Sequence, residues 1–146
     1  MSYIGHSGYG YSQKLCEDIT SWFLNTHFPR HKIDVQITHR GMKRENLFGA
    51  CDVLGSESRP RQFIIEIDTH LPREIYIKTL LHELVHLGQW VKGSLRIKSG
   101  RTHWNGENVS NWDYRSQPHE IEAHQMEDKL MVDYIFYSTG EWWGDE

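Results

Sequence analysis

His82 and His86 bracket Glu83 in the pentapeptide His82-Glu83-Leu84-Val85-His86, a spacing that suits the capture of one divalent ion. On a helix of about 3.6 residues per turn, positions four apart lie one above the other, so both imidazoles can reach the same ion. Zn²⁺ accepts imidazole nitrogen readily, and HExxH on a helix is a zinc-binding pattern. Glu83 is rotated by about 100° from His82, which sets it beside the ion rather than on it. There it can act as general base on a zinc-bound water. One short segment therefore offers two metal ligands and a proton acceptor for hydrolysis.

The chain holds 10 His among 146 residues, so a five-residue match needs support from its surroundings. That support is helical periodicity. Ile77, Leu81, Leu84 and Gly88 recur at spacings of four, three and four, the pattern of one helix face. Leu80 and Leu87 widen the apolar side, which predicts a helix central to the core. Pro72 fits its first turn and Gly93 its end.

A catalytic zinc site takes three protein ligands and keeps the fourth position for water, so a further ligand must come from elsewhere. The candidates are Glu120, Glu122 and His124 on a helix predicted from Pro118 to Tyr137, and His103 or His119 in and after the preceding loop. Glu120 and His124 are four apart and share a helix face. This favours Glu120 as the third ligand, with His124 either orienting a ligand imidazole or ligating itself. Glu122 and the loop histidines stay open as alternatives. Ser116 is a plausible N-cap for this helix. Its acidic residues Glu120, Glu122, Glu127, Asp128 and Asp133 face only Lys129, which reads mostly as a solvated acidic face.

Other elements must hold these groups in place. Residues 11–28 place Leu15, Ile19, Trp22 and Phe23 at helical spacing before Pro29, a packing helix that follows a Gly-, Ser- and Tyr-rich lead. Residues 32–39 alternate Ile33, Val35 and Ile37 with polar residues, as a half-buried strand does. The segment around Gly49 predicts a second strand with a glycine irregularity, and Phe63, Ile65 and Ile67 a third. The order is helix, about three strands in a small mixed sheet, the HExxH helix, a long loop and a C-terminal ligand-bearing helix. That is an α+β layout, read as a single domain over residues 1–146.

Composition narrows the partners. A net charge of -4 argues against a general nucleic-acid coat. Lys92, Arg96, Lys98 and Arg101 still form a basic strip that could grip phosphate or an acidic partner. Trp104, Trp112, Trp142 and Trp143 could stack on bases or bind a partner, or cover core edges. Cys16 and Cys51 show no disulfide-framework or CxxC spacing and read as reduced thiols. The N-terminus has neither a basic start nor an apolar core of a signal peptide, and no run approaches a membrane span. The expectation is a cytoplasmic monomer without membrane association.

The string His82-Glu83-Leu84-Val85-His86, followed by His119-Glu120-Ile121-Glu122-Ala123-His124, resembles the gluzincin pattern, HExxH then ExxA. With "THWNG" and "YRSQPHEIEAH" added, residues 63–130 look like small, mostly phage-borne SprT-like metallopeptidases. This resemblance implies a zincin-like fold, Zn²⁺ as cofactor, His82, His86 and Glu120 as ligands, Glu83 as base, and a peptide or protein substrate. A phage origin would place it in the host cytoplasm. His119 stands where an aromatic residue is common, and His124 where many gluzincins have Asp. The four-Cys zinc ribbon of better-known SprT-type proteins is absent. Hydrolysis also needs a donor for oxyanion charge; Tyr114 is the first candidate and His103 the second. In zincins a sheet edge binds extended substrate, which points to the strand from Phe63 to Asp68 if that strand has a free edge, an internal strand being the alternative. Gln89, one turn beyond His86, lines the site or caps the helix end. The alternative to catalysis is a non-catalytic zinc-containing binding or regulatory module, with a nucleic-acid-associated role as one form of it.

Overall fold

The computed structural model describes residues 2–139. Four strands form a mixed sheet in the order β1-β2-β4-β3: β1 (Tyr3–Gly8), β2 (Asp34–Arg40), β3 (Gly49–Leu54) and β4 (Gln62–Asp68). β1, β2 and β4 run parallel, and β3 is antiparallel to β4. The register pairs Val35 with Phe63, Ile37 with Ile65 and His39 with Ile67. All six are buried, because the period-two alternation puts them on the single face that the helices cover.

The sheet has one strand more than the apolar alternation predicts. β1 carries Tyr3-Ile4-Gly5-His6-Ser7-Gly8, exposed or half-buried throughout, so it has no buried row for the pattern to reveal. Backbone pairing with β2 holds it at the sheet edge. The strand from Phe63 to Asp68 is internal, flanked by β2 and β3. The edge beside the HExxH helix is β3 instead, and Gly49 opens that strand rather than interrupting it.

Helix α1 (Gln13–His27) links β1 to β2 and is capped by Ser12, whose hydroxyl accepts from the Leu15 N–H at 3.2 Å. Helix α2 (Arg73–Lys92) follows β4 and is buried continuously from Thr79 to Trp90. A helix enclosed in this way sits inside the core rather than on its surface. It begins after Pro72 and ends at Gly93, whose φ of 83° closes it with bonds to the Gln89 and Trp90 carbonyls. Gly49 lets α2 come close to the sheet. A Cβ there would lie 3.0 Å from Thr79 Cγ2 and 3.1 Å from Glu83 Cγ, so a larger residue would push the Glu83 side chain away.

The segment between the last two helices is not a structureless loop. It forms a second, antiparallel sheet of β5 (Leu95–Lys98), β6 (Arg101–Trp104) and β7 (Glu107–Asn108). Two-residue turns join these strands: Ser99-Gly100 with φ of 53° and 74°, and Asn105-Gly106 with φ of 48° and 89°. Positive φ at both turn positions matches the twist of a tight hairpin.

Helix α3 (Pro118–Thr139) packs Ala123, Leu130, Tyr134 and Ile135 into the core. Pro118 opens it as expected. Ser116 does not cap it, because that residue belongs to a 3-10 turn (Tyr114–Ser116), and the Gln117 carbonyl accepts the first helical bond, from Ile121. Among the described residues no helix is long and apolar enough to cross a membrane. Trp142 and Trp143 lie outside the described residues.

His39 shows how the core treats a buried polar ring. It is 1% exposed, donates through Nδ1 to the Ser7 carbonyl at 3.0 Å, and lies 2.8 Å through Nε2 from the Tyr76 hydroxyl. Burial lowers its pKa, the Ser7 bond opposes this, and His6 adds to the lowering. A folded-state pKa below the unfolded value of about 6.5 means that only the unfolded chain takes up this proton as the pH drops through that range. Stability is therefore lost as pH falls below about 6.5. Between about pH 7.5 and about pH 5.5, the wild type should lose more Tm than His39→Gln. Parallel loss in the two proteins would show that His39 is not the group responsible.

Candidate metal centre

The buried rod α2 presents His82 and His86 on one face, and the first turn of α3 brings Glu120 against them. Glu120 Oε1 lies 3.2 Å from His82 Nε2 and 3.2 Å from His86 Nε2. Two donors each about 2.0–2.1 Å from a tetrahedral ion are separated by about 3.4 Å, so these spacings are close to those of a ligand set. The three groups offer one donor atom apiece, all within 4.8 Å of one another. The imidazole rings stand edge to face, at 84° with centroids 4.9 Å apart, and both Nε2 atoms lie against the same Glu120 oxygen.

The back of His86 is fixed by Gln89, which is 2% exposed. Its amide nitrogen donates to the His119 carbonyl at 3.0 Å and to Glu122 Oε1 at 2.9 Å. Both partners only accept, so the amide oxygen is the atom left facing His86 Nδ1, at 2.7 Å. That oxygen needs a proton on Nδ1 and so leaves Nε2 as the atom that could ligate an ion. Glu122, a candidate ligand by sequence, is thus spent on Gln89 and lies behind the site. Gln89 neither caps the helix nor meets solvent; it holds a histidine in place.

The other candidates divide. His119 is 8% exposed, with Nε2 4.0 Å from Glu120 Oε2 and Nδ1 unpaired. His124 contacts the His82 ring at 4.6 Å between centroids, while its Nδ1 bonds Glu127 Oε1 at 2.9 Å. The hydroxyl of Tyr114 donates to Glu120 Oε1 at 3.0 Å. His103 is turned away, donating through Nδ1 to the Arg101 carbonyl at 3.0 Å. Glu127 also lies against His82, a placement that the acidic-face reading missed. Its position seven residues beyond Glu120 on a helix was the available signal. Asp128 and Asp133 do fit that reading: they pair with Lys78 at 3.0 Å and Lys129 at 3.4 Å on the surface.

Glu83 is 6% exposed and makes no side-chain hydrogen bond among the described residues. Burial pushes its carboxyl up to about 7, against the pull of His86 and His82. Burial also opposes charge on His82, but Glu120 and Glu127 outweigh it and carry this histidine up to about 10. Burial likewise works against the Glu120 carboxylate, yet bonds from His82 and His86 hold it well below the usual range. The cluster therefore favours positive charge between its carboxylates, which a divalent ion could supply in place of protons.

Two concavities meet over this centre. One, of about 290 Å³, is walled by Trp90, Leu95, Thr102, Cys51 and His119. The other, of about 240 Å³, is walled by Asn46, Leu47, Phe48, His124 and Glu127. Glu83, His82, Gly49 and Tyr114 line both. Cys51 and Cys16 are free thiols. The basic strip divides between the β5–β6 hairpin and its approach, with Arg96 donating to the Ser58 carbonyl at 3.0 Å.

With Zn²⁺ as the probe ion, Glu120→Ala should abolish tight binding in a competition with a chromophoric chelator. Gln89→Leu should weaken it by about 10–100-fold, the usual effect of losing a group that orients a ligand. Full retention of the ion by Glu120→Ala would transfer the ligand role to another group, such as His119 or His124. Comparison with protein-family models, curated proteins and solved structures finds no match to this chain.

Proposed function

We propose that the chain is a zinc-dependent peptidase with a zincin-like arrangement of the gluzincin, SprT-like kind. The observation that carries this reading is the approach of Glu120 Oε1 to both His82 Nε2 and His86 Nε2 at 3.2 Å, beside a buried Glu83 with no other bonding duty. His82, His86 and Glu120 would hold the ion. When bound, zinc supplies Lewis acidity and lowers the pKa of a coordinated water toward about 7.

The protein's own groups do the rest. Glu83 accepts a proton from the attacking water and delivers it to the leaving amine. Tyr114 places a hydroxyl at the junction of the two concavities, where it can turn from Glu120 to the developing oxyanion. β3 pairs only with β4 among the described residues, and its Gly49, Ala50 and Cys51 line the larger-walled side of the cleft. Its open backbone edge can bind an extended peptide by strand addition. Exposed Leu47 and Phe48 at its start give apolar contacts for substrate side chains. The substrate is a peptide or protein, the chain acts as a monomer, and the compartment is the cytoplasm.

Glu83→Gln separates this function from a metal-containing binding module. The variant should keep about one zinc per chain while cleavage of a peptide library falls by at least about 10²–10⁴-fold. If wild type and variant both hold zinc tightly and neither cleaves any library member, the protein is a binding module and the peptidase reading fails.

A further inference from the structure

The two ligand imidazoles are held from behind in different ways. Gln89 holds His86, as described above. His82 Nδ1 is buried and makes no aligned hydrogen bond, yet it lies 3.3 Å from Glu127 Oε2. That separation is within hydrogen-bond range, the carboxylate oxygen is an acceptor that the buried ring nitrogen can use, and leaving such a nitrogen unpaired is costly. The Glu127 side chain is 12% exposed, and its second oxygen accepts from His124 Nδ1 at 2.9 Å. One carboxylate therefore spans two histidines.

We propose that Glu127 is the positioning residue for His82 in the metal centre, as Gln89 is for His86. It fixes His82 as the Nδ1–H tautomer, so that Nε2 offers its lone pair to the ion, and it ties His124 to the cleft mouth. The inference rests on the reading of His82, His86 and Glu120 as a metal centre, and it reassigns a duty. His124, four residues after Glu120, sits where the orienting group was expected. Its own ring nitrogens are directed at Glu127 and, at 3.5 Å, at the Tyr114 hydroxyl, and neither bonds His82.

A competing arrangement is a second cation on His82, His124 and Glu127, whose donor atoms also lie within 4.8 Å of one another. It would take His82 through Nδ1. Filling both positions would require one ring to give up both protons, whereas a ligating imidazole ordinarily keeps one and hands it to an outer partner. The geometry therefore points to a carboxylate that holds a proton rather than an ion.

The test uses the full chain and Zn²⁺ alone, with affinity from chelator competition, stoichiometry from bound metal, and fold from thermal unfolding. Glu127→Ala should weaken zinc by about 10–100-fold without changing the number of ions bound. Glu127→Gln should recover most of that loss, because an amide oxygen can accept from Nδ1–H as Gln89 does for His86. His124→Ala should weaken zinc less than Glu127→Ala does, because Glu127 keeps its place against His82. Nitrogen-15 spectra of the zinc-loaded wild type should show His82 protonated at Nδ1. The proposal is overturned if Glu127→Ala binds as tightly as wild type. It is equally overturned if Glu127→Gln drops the stoichiometry from two ions to one, which would make Glu127 a ligand. Should Glu127→Ala fail to fold, the wild-type spectrum decides, and a His82 ring protonated at Nε2 refutes the assignment. A wild type that binds no zinc removes the metal centre itself, a result distinct from bound zinc that ignores Glu127.

Discussion

Charge in a dry core is the constraint on which this structure turns. α2 is enclosed from Thr79 to Trp90, yet it carries two imidazoles and a carboxylate, groups that are expensive to bury without partners. A second carboxylate arrives from α3 and meets both imidazoles through one oxygen. Two carboxylates, Glu120 and Glu83, and the nearby Glu127 then surround His82 and His86. The surplus negative potential asks for a cation in the middle. Protons meet that need in the free chain, and a divalent ion would meet it with better-directed bonds.

The fold can be read as the means of keeping that cluster rigid. The buried face of the sheet gives α2 a flat bed of Phe63, Ile65 and Ile67, and Gly49 permits close contact at the level of Glu83. Gly88 does the same on another side, where a Cβ would stand 3.2 Å from the Phe28 ring. α3 closes the assembly through Ala123, whose small side chain is fully buried three residues after Glu120. Gln89 and Glu127, behind His86 and His82, are themselves packed, so both imidazoles are held by side chains with little freedom of their own.

Much of this was legible in the sequence, and what was not has physical reasons. The 3.6-residue period around Leu80, Leu81, Leu84 and Leu87 marked α2, and Phe63, Ile65 and Ile67 marked β4, because burial on one face leaves a periodic trace. β1 left none, since an edge strand of Gly, Ser, His and Tyr buries no row of side chains. The β5–β7 sheet did carry a signal, the Asn105-Gly106 pair, overshadowed by strands too short to show alternation. Glu120 stood out by its spacing from His124 and by its resemblance to the ExxA pattern, whereas Gln89 and Glu127 act only through residues brought near by the crossing of α2 and α3. That crossing is a tertiary fact, and the spacing of either helix alone does not contain it.

X-ray absorption at the zinc edge of the loaded protein probes the centre most directly. The centre should show a four-coordinate shell of nitrogen and oxygen at about 2.0–2.1 Å, with the outer-shell scattering of two imidazoles and no sulfur. A sulfur neighbour at about 2.3 Å, which would bring in Cys51, or a shell with a single imidazole or none, would contradict it.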